Sequence, residues 1–223
     1  MKPAASVLVV MAAMSLCVAT AHAQPVGQAE KEGWSPEGYL LSLGVGAYHP
    51  SGNEAFDQFY SGENGPLLLV TFDFFLYRIP FVGPIGIDIA GGWAGYKGTA
   101  PPSTQTLKFS IFPLNTMVVL RIDALARETP VPFVFSGKIG YTNLFYNENT
   151  GAGKQGGRSG GLGWAARFAL ELNFINPRRA NALDEDWGIN SSFFFFELAG
   201  VNDKSGAALG DKLYFTGGLG LTF

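Results

Sequence analysis

The sequence predicts an all-β chain, a transmembrane antiparallel up-and-down β-barrel of about eight strands. Three observations predict it. Apolar residues recur at every second position over segments of about ten residues, the period of a strand with one greasy face. No apolar run after residue 23 reaches the roughly 20 residues that a spanning helix needs. Charged residues make up only 15% of the chain, against about 25% in a soluble domain, while glycines number 30 and aromatics reach 14%. In hydrocarbon only helices and closed barrels satisfy their own backbone groups, so strands that cross must close.

The first element is an address rather than a structure. Lys2, an apolar stretch from Ala5 to Ala19, and Ala21-His22-Ala23 ahead of Gln24 form a signal peptide over residues 1–23. Cys17, the only cysteine, lies inside it. Leu16 stands before it where lipid attachment wants a small residue, so the segment does not read as a lipoprotein signal. The mature chain then carries no thiol, which excludes disulfides, cysteine nucleophiles and thiolate metal sites. Without Lys2 there are 14 basic residues against 18 acidic ones, a net charge of −4 with no basic run. Nucleic acid is not an expected partner. Residues 24–38 are polar and interrupted by proline and glycine, and read as a disordered periplasmic lead-in to a barrel over 39–223.

Eight segments follow. The first three are Tyr39–His49, Leu67–Arg78 and Ile85–Lys97, each about the length of a tilted spanning strand. The fourth, Thr106–Asp123, is overlong, and its apolar parity changes between Ile111 and Phe112 beside Pro113, which predicts a bulge. Val131–Tyr146 is the fifth. The sixth, Leu162–Phe174, is the clearest: Leu162, Trp164, Ala166, Phe168, Leu170, Leu172 and Phe174 share one face, while Arg167, Glu171 and Asn173 lie on the other. In the seventh, Gly188–Gly200, Phe193–Phe196 is apolar on both faces and leaves the register open. The eighth runs from Lys212 to Phe223, with Leu213, Phe215, Leu219, Leu221 and Phe223 on one face. Leu219, Leu221 and the terminal Phe223 match the C-terminal signal that outer-membrane assembly machinery reads, so that machinery and the membrane lipids are the expected partners.

The links 50–66, 98–105, 147–161 and 201–211 are polar and glycine-rich, whereas 79–84 and 124–130 are short turns with proline. Link 175–187 is longer, charged, and has room for a helical turn. Long loops on one side and short turns on the other are the pattern of outer-membrane barrels with both termini in the periplasm.

Most charges within strands fall opposite the apolar face. Asp73, Asp88, Asp123, Glu171 and, if its register holds, Glu197 point inward, with Arg121, Lys138, Arg167 and Lys212 as basic counterparts. Small barrels have interiors just wide enough for side chains to fill, and charges buried there must be paired. A cross-strand ion-pair network plugging the lumen is therefore expected, with Arg167 beside Glu171 or Glu197. Tyr39, Tyr48, Tyr77, Trp93, Tyr96, Tyr141, Tyr146, Trp164 and Tyr214 are candidates for interfacial aromatic girdles.

Chemistry is harder to find. His49, the one histidine of the mature chain, precedes Pro50 and Ser51, and a His-x-Ser pair invites comparison with the lipid A deacylase barrels. No third group that would orient the histidine is visible nearby. One histidine also rules out a histidine-rich metal site. Asp184-Glu185-Asp186 reads as a solvated turn. The glycine-rich 151–163 lacks the Gly-Lys-Ser/Thr ending of a phosphate loop and reads as a flexible surface loop.

Val118-Val119-Leu120-Arg121-Ile122-Asp123, Val131-Pro132-Phe133, Lys138-Ile139-Gly140-Tyr141, Gly163-Trp164, Pro177-Arg178-Arg179-Ala180, Gly188-Ile189-Asn190, Phe196-Glu197 and Phe223 carry a resemblance. Residues 39–223 resemble an outer-membrane barrel family found mainly in myxobacteria and their relatives, of the small OmpA/OmpW-like kind. The resemblance implies one barrel domain in the outer membrane and no defined activity; no cofactor is expected. The expected function is a non-enzymatic barrel with a filled lumen, structural in the envelope or interacting at the surface. The second reading is a barrel that transports small apolar molecules or handles lipids.

Overall fold

The computed structural model describes residues 37–51, 53–60, 64–100, 105–129, 131–150, 153–203 and 207–223. The expected signal peptide over 1–23 and all but the last two residues of the expected lead-in lie outside them. Eight strands form one closed antiparallel barrel in chain order: β1 Tyr39–Tyr48, β2 Gly65–Ile79, β3 Gly83–Ala100, β4 Gln105–Ile122, β5 Phe133–Asn149, β6 Lys154–Glu171, β7 Ser191–Asn202 and β8 Tyr214–Thr222. Among the described residues three helices sit in the connections, α1 Glu54–Tyr60, α2 Ala124–Glu128 and α3 Pro177–Trp187. The last of these fills the link in which a helical turn was expected. Among the described residues no helix is long and apolar enough to cross a membrane.

Strict alternation organises the wall. Along β6 the even positions Leu162, Trp164 and Phe168 face out, while Arg167, Ala169 and Glu171 are buried. In β7, Phe193 and Phe195 turn inward and Phe194 and Phe196 outward, which settles the open register and carries Glu197 inside opposite Arg167. Leu219, Leu221 and Phe223 keep the outward parity of β8. The seam pairs β1 with β8 from Leu40↔Thr222 to Ala47↔Phe215, and Gly38 donates to the Phe223 carbonyl at 2.6 Å. Tyr39 lies between Phe72 and Phe223, ring centroids 6.0 and 5.3 Å away.

Several expectations need correction. The bulge in β4 is absent: odd residues from Leu107 to Arg121 face inward without a break, and the register with β5 is continuous. The parity change came from assuming a polar interior, whereas Leu107, Phe109 and Ile111 belong to an apolar upper core. The register shift lies in β2, between Phe75 and Tyr77. The glycine-rich 151–163 is largely strand: residues 154–161 continue β6 and pair with β5 up to Asn149↔Lys154. Glycine and polar side chains do not oppose a ladder whose partner is already extended, so β3 to β6 reach 17–18 residues. The expected asymmetry of loop length is replaced by an asymmetry of strand length, since these strands project at the end away from the termini (the far end). Tyr48, Tyr96 and Tyr214 are not girdle residues but buried inside. Glu37 and Gly38 are ordered rather than part of a disordered lead-in, with the Glu37 side chain entering the barrel at the terminal end.

Two glycines are required by close approach. Gly83 has φ +146°, and a Cβ there would lie 2.2 Å from the Arg121 carbonyl oxygen. Gly218 at the seam faces Gly44, and its Cβ would lie 1.9 Å from the Leu43 carbonyl oxygen. Gly83→Ala and Gly218→Val are each expected to destabilise the barrel by about 1–3 kcal/mol, read as a lower urea midpoint in phosphatidylcholine vesicles. Wild-type midpoints in both would contradict these packing assignments.

Candidate functional site in the barrel lumen

The interior is built in layers, each fixed by strand register. The middle layer begins with a conflict: Asp73 and Asp88 are directly opposite each other on β2 and β3, and like charges in that position repel. Lys138 of β5 reaches across to them, its Nζ 2.6 Å from Asp88, 3.5 Å from Asp73 and 3.4 Å from Glu197. Arg167 donates from Nε to Glu197 at 2.8 Å, and its guanidinium carbon lies 4.3 Å from the centre of the Phe195 ring. All five charged groups are buried. Of the two partners the sequence left open for Arg167, the pairing is with Glu197.

Nearer the termini, Arg121 donates to Glu171 at 2.9 Å. Glu37 bridges Arg121 and Arg127 at 3.7 and 3.3 Å, Arg127 meets Asp123 at 3.0 Å, and Arg78 reaches both Asp123 oxygens at 2.7 Å. Three arginines thus face three carboxylates. Burial works to raise the Glu37 carboxyl, but Arg121, Arg127 and Arg78 outweigh it and hold it below its ordinary range. A second apolar cluster, including Leu40, Phe75, Val119, Val134, Phe193 and Phe195, surrounds the two charged layers.

The far half is an aromatic stopper. Helix α1 turns Phe56 and Tyr60, one helical turn apart, down into the barrel mouth. Phe56 stacks on Tyr60 at 4.8 Å and meets Tyr96 and Phe109 edge-on at 4.9 and 5.5 Å. Three tyrosine hydroxyls of the stopper are satisfied: Tyr60 donates to Glu148 at 2.8 Å, Tyr96 to the Tyr48 carbonyl at 2.8 Å and Tyr48 to the Leu209 carbonyl at 2.9 Å. Asn53 caps α1 by accepting from the Phe56 amide and donates to the Ala207 carbonyl. His49 Nε2 lies 3.2 Å from Asp57 on α1.

Eight of the nine charged residues expected in the lumen are buried there or at its terminal mouth; Lys212 is the exception, exposed on the bend before β8. Its parity was inward, but the strand begins only at Tyr214. Glu37, Arg78 and Arg127 were missed because they lie in the lead-in, at a strand end and in a turn. Phe56 and Tyr60 carried a signal in their i, i+4 spacing within a link read as irregular. The sequence showed no orienting acid for His49, and the structure supplies Asp57. The Ser51 hydroxyl, however, donates to the Gly210 carbonyl and accepts from the Lys212 amide, so Ser51 and His49 form no hydroxyl–imidazole hydrogen bond.

These features define the class by fold: a closed eight-stranded barrel of the small outer-membrane type, with an apolar outer wall and a filled interior. Among solved structures, the chain is similar to the outer membrane protein OprG from Pseudomonas aeruginosa, with a TM-score of 0.55, 12% identity, and coverage of 87% of this chain and 99% of that one. Neisserial surface protein A gives a TM-score of 0.48 at 14% identity, covering 83% and 96%, and Ail of Yersinia pestis 0.43 at 10%, covering 84% and 97%. No protein-family model matches the chain. No curated protein sequence matches it either. At these identities the likeness to OprG speaks for the fold alone.

Replacing Lys138 by Met is expected to cost about 3–5 kcal/mol, because three buried carboxylates lose their shared cation. Lys138→Met with Asp88→Asn should recover part of it; a single variant as stable as wild type in urea titrations would contradict the network. Glu37, held low in the folded chain, contributes stability above the pKa of a free glutamate and loses it as pH falls through its lowered value. The stability difference between wild type and Glu37→Gln should therefore be largest near neutrality and close on acidification. A difference independent of pH would contradict the Glu37 assignment.

Proposed function

We propose that the protein is an integral outer-membrane barrel without enzymatic activity, serving a structural or surface-interaction role, with a lumen closed to solutes. The single observation that carries this reading is the continuous filling of the interior, from the Glu37 arginine cluster through the Lys138 layer to the stopper of Phe56 and Tyr60. The outer wall supports the membrane setting, since Leu43, Val45, Leu68, Ile139, Leu162, Phe194, Phe215 and Leu219 are all exposed. In this reading the termini lie in the periplasm and the far end is extracellular. The signal peptide over 1–23, the Leu219, Leu221 and Phe223 assembly signal, and the resemblance to myxobacterial barrels belong to the same reading. Transport of small apolar molecules would use the apolar extracellular half, but Phe56 and Tyr60 occupy it. No cofactor enters this reading.

In planar bilayers the wild type is expected to show no large, stable conductance, while Phe56→Ala/Tyr60→Ala loosens the stopper without opening the ionic layers below. A large, steady wild-type conductance would overturn the closed lumen. Fractionation should find the chain with the outer membrane, and Phe223→Ser should lower the amount assembled there; recovery of wild type in the soluble fraction would overturn the setting.

A further inference from the structure

Strand register also sorts the charges that point outward. Every charged side chain that a described strand turns onto the outer wall is basic, and all of them sit at the far end of β3 to β6: Lys97, Lys108, Lys154 and Arg158. This happens in a chain whose net charge is −3, because the acids of these strands are turned inward. Three of the four form a single row across neighbouring strands, Lys97↔Lys108, Lys108↔Asn149 and Asn149↔Lys154. Lys97 and Lys108 are directly paired, a like-charge arrangement that costs stability. Among the described residues none of the three lysines has a carboxylate within ion-pair distance. Such a row suits a ligand that carries several negative charges.

The level of the row indicates which anion. On the same strands the outward residues Phe112 and Phe145 are paired, and Phe145 is paired with Arg158, whose guanidinium carbon lies 5.9 Å from the Phe145 ring centre. Trp93, Phe112, Phe145 and Tyr141 are exposed aromatics of this wall, at the place where rings mark the boundary of the hydrocarbon. Lys108 is four residues beyond Phe112. At about 3.4 Å per residue and a tilt of about 40°, the lysines stand about 10 Å above the rings, at headgroup height. They project sideways, towards lipid, rather than upward to a soluble partner.

The geometry points to a lateral binding surface for a phosphate-bearing glycolipid of the outer leaflet, with Lys97, Lys108 and Lys154 on its phosphates and Arg158 at the top of its acyl region. The surface rests on the outer-membrane reading above and adds a defined lipid partner to it. Arg158 already donates to Asn143 at 2.6 Å, which holds it against the wall, so the three lysines carry most of the charge recognition.

The test is native mass spectrometry of the folded barrel in detergent with diphosphoryl lipid A, its dephosphorylated form and phosphatidylglycerol. Diphosphoryl lipid A is expected to bind best. Combining Lys97→Gln, Lys108→Gln and Lys154→Gln should weaken it at least about tenfold. Lys212→Gln, an exposed lysine off this row, should leave it unchanged. Equal binding by wild type and the triple variant, or by phosphorylated and dephosphorylated lipid, overturns the proposal. So does displacement of lipid A by a soluble heparin oligosaccharide at equal charge, which would mark a polysaccharide surface instead. If the heat-modifiable barrel forms and shows no lipid preference, only this surface fails; if no barrel forms in detergent or bilayer, the outer-membrane reading fails with it.

Discussion

Closing eight strands leaves an interior with room for side chains and little else, and this chain sends acidic groups into it. Asp73 and Asp88 face each other across β2 and β3, where water is scarce and neither can be left uncompensated. Lys138 answers both and also Glu197, tying β2, β3, β5 and β7 through one ammonium group. Arg167 completes the layer from β6. The other layers follow from the same constraint: balanced charge at the terminal mouth, and aromatic rings where the barrel rises beyond the charged girdle.

The two surfaces of the wall divide the work. Inside, charge is internally neutralised to a large extent by cross-strand pairs; outside, the middle of the wall carries none, and its far rim is basic. An ion-filled interior and an apolar exterior invert the arrangement of a soluble domain, which is why low charge content and strict alternation together were diagnostic. Helix α1 adds a closure that the strands alone do not provide, since Phe56 and Tyr60 come from a connection rather than from the wall.

Much of this was legible in residues read two at a time. Leu162–Phe174 showed its outer and lumen faces directly, and the inward charges followed from the same parity. What failed had a common cause, because parity says which face a residue takes and not what fills that face. Apolar side chains at Leu107, Phe109 and Ile111 looked like a slip in β4 because the upper interior was assumed polar. Tyr48, Tyr96 and Tyr214 looked interfacial for the same reason. The glycine-rich stretch before Leu162 looked like a loop because its own propensity is weak, although pairing with β5 extends it. Glu37, Arg78 and Arg127 carry no periodic signal, and only the closed barrel brings them together.

The central claim is that alternate residues face hydrocarbon and a packed, ion-paired interior. Nitroxide labels placed one at a time along residues 162–170 of the folded chain in vesicles test it most directly. Collision with dissolved oxygen should rise and fall with a period of two, peaking at Leu162, Trp164, Ala166, Phe168 and Leu170, while a water-soluble nickel chelate reaches none of them. A period near 3.6, or free access of the chelate to those even positions, would contradict the account.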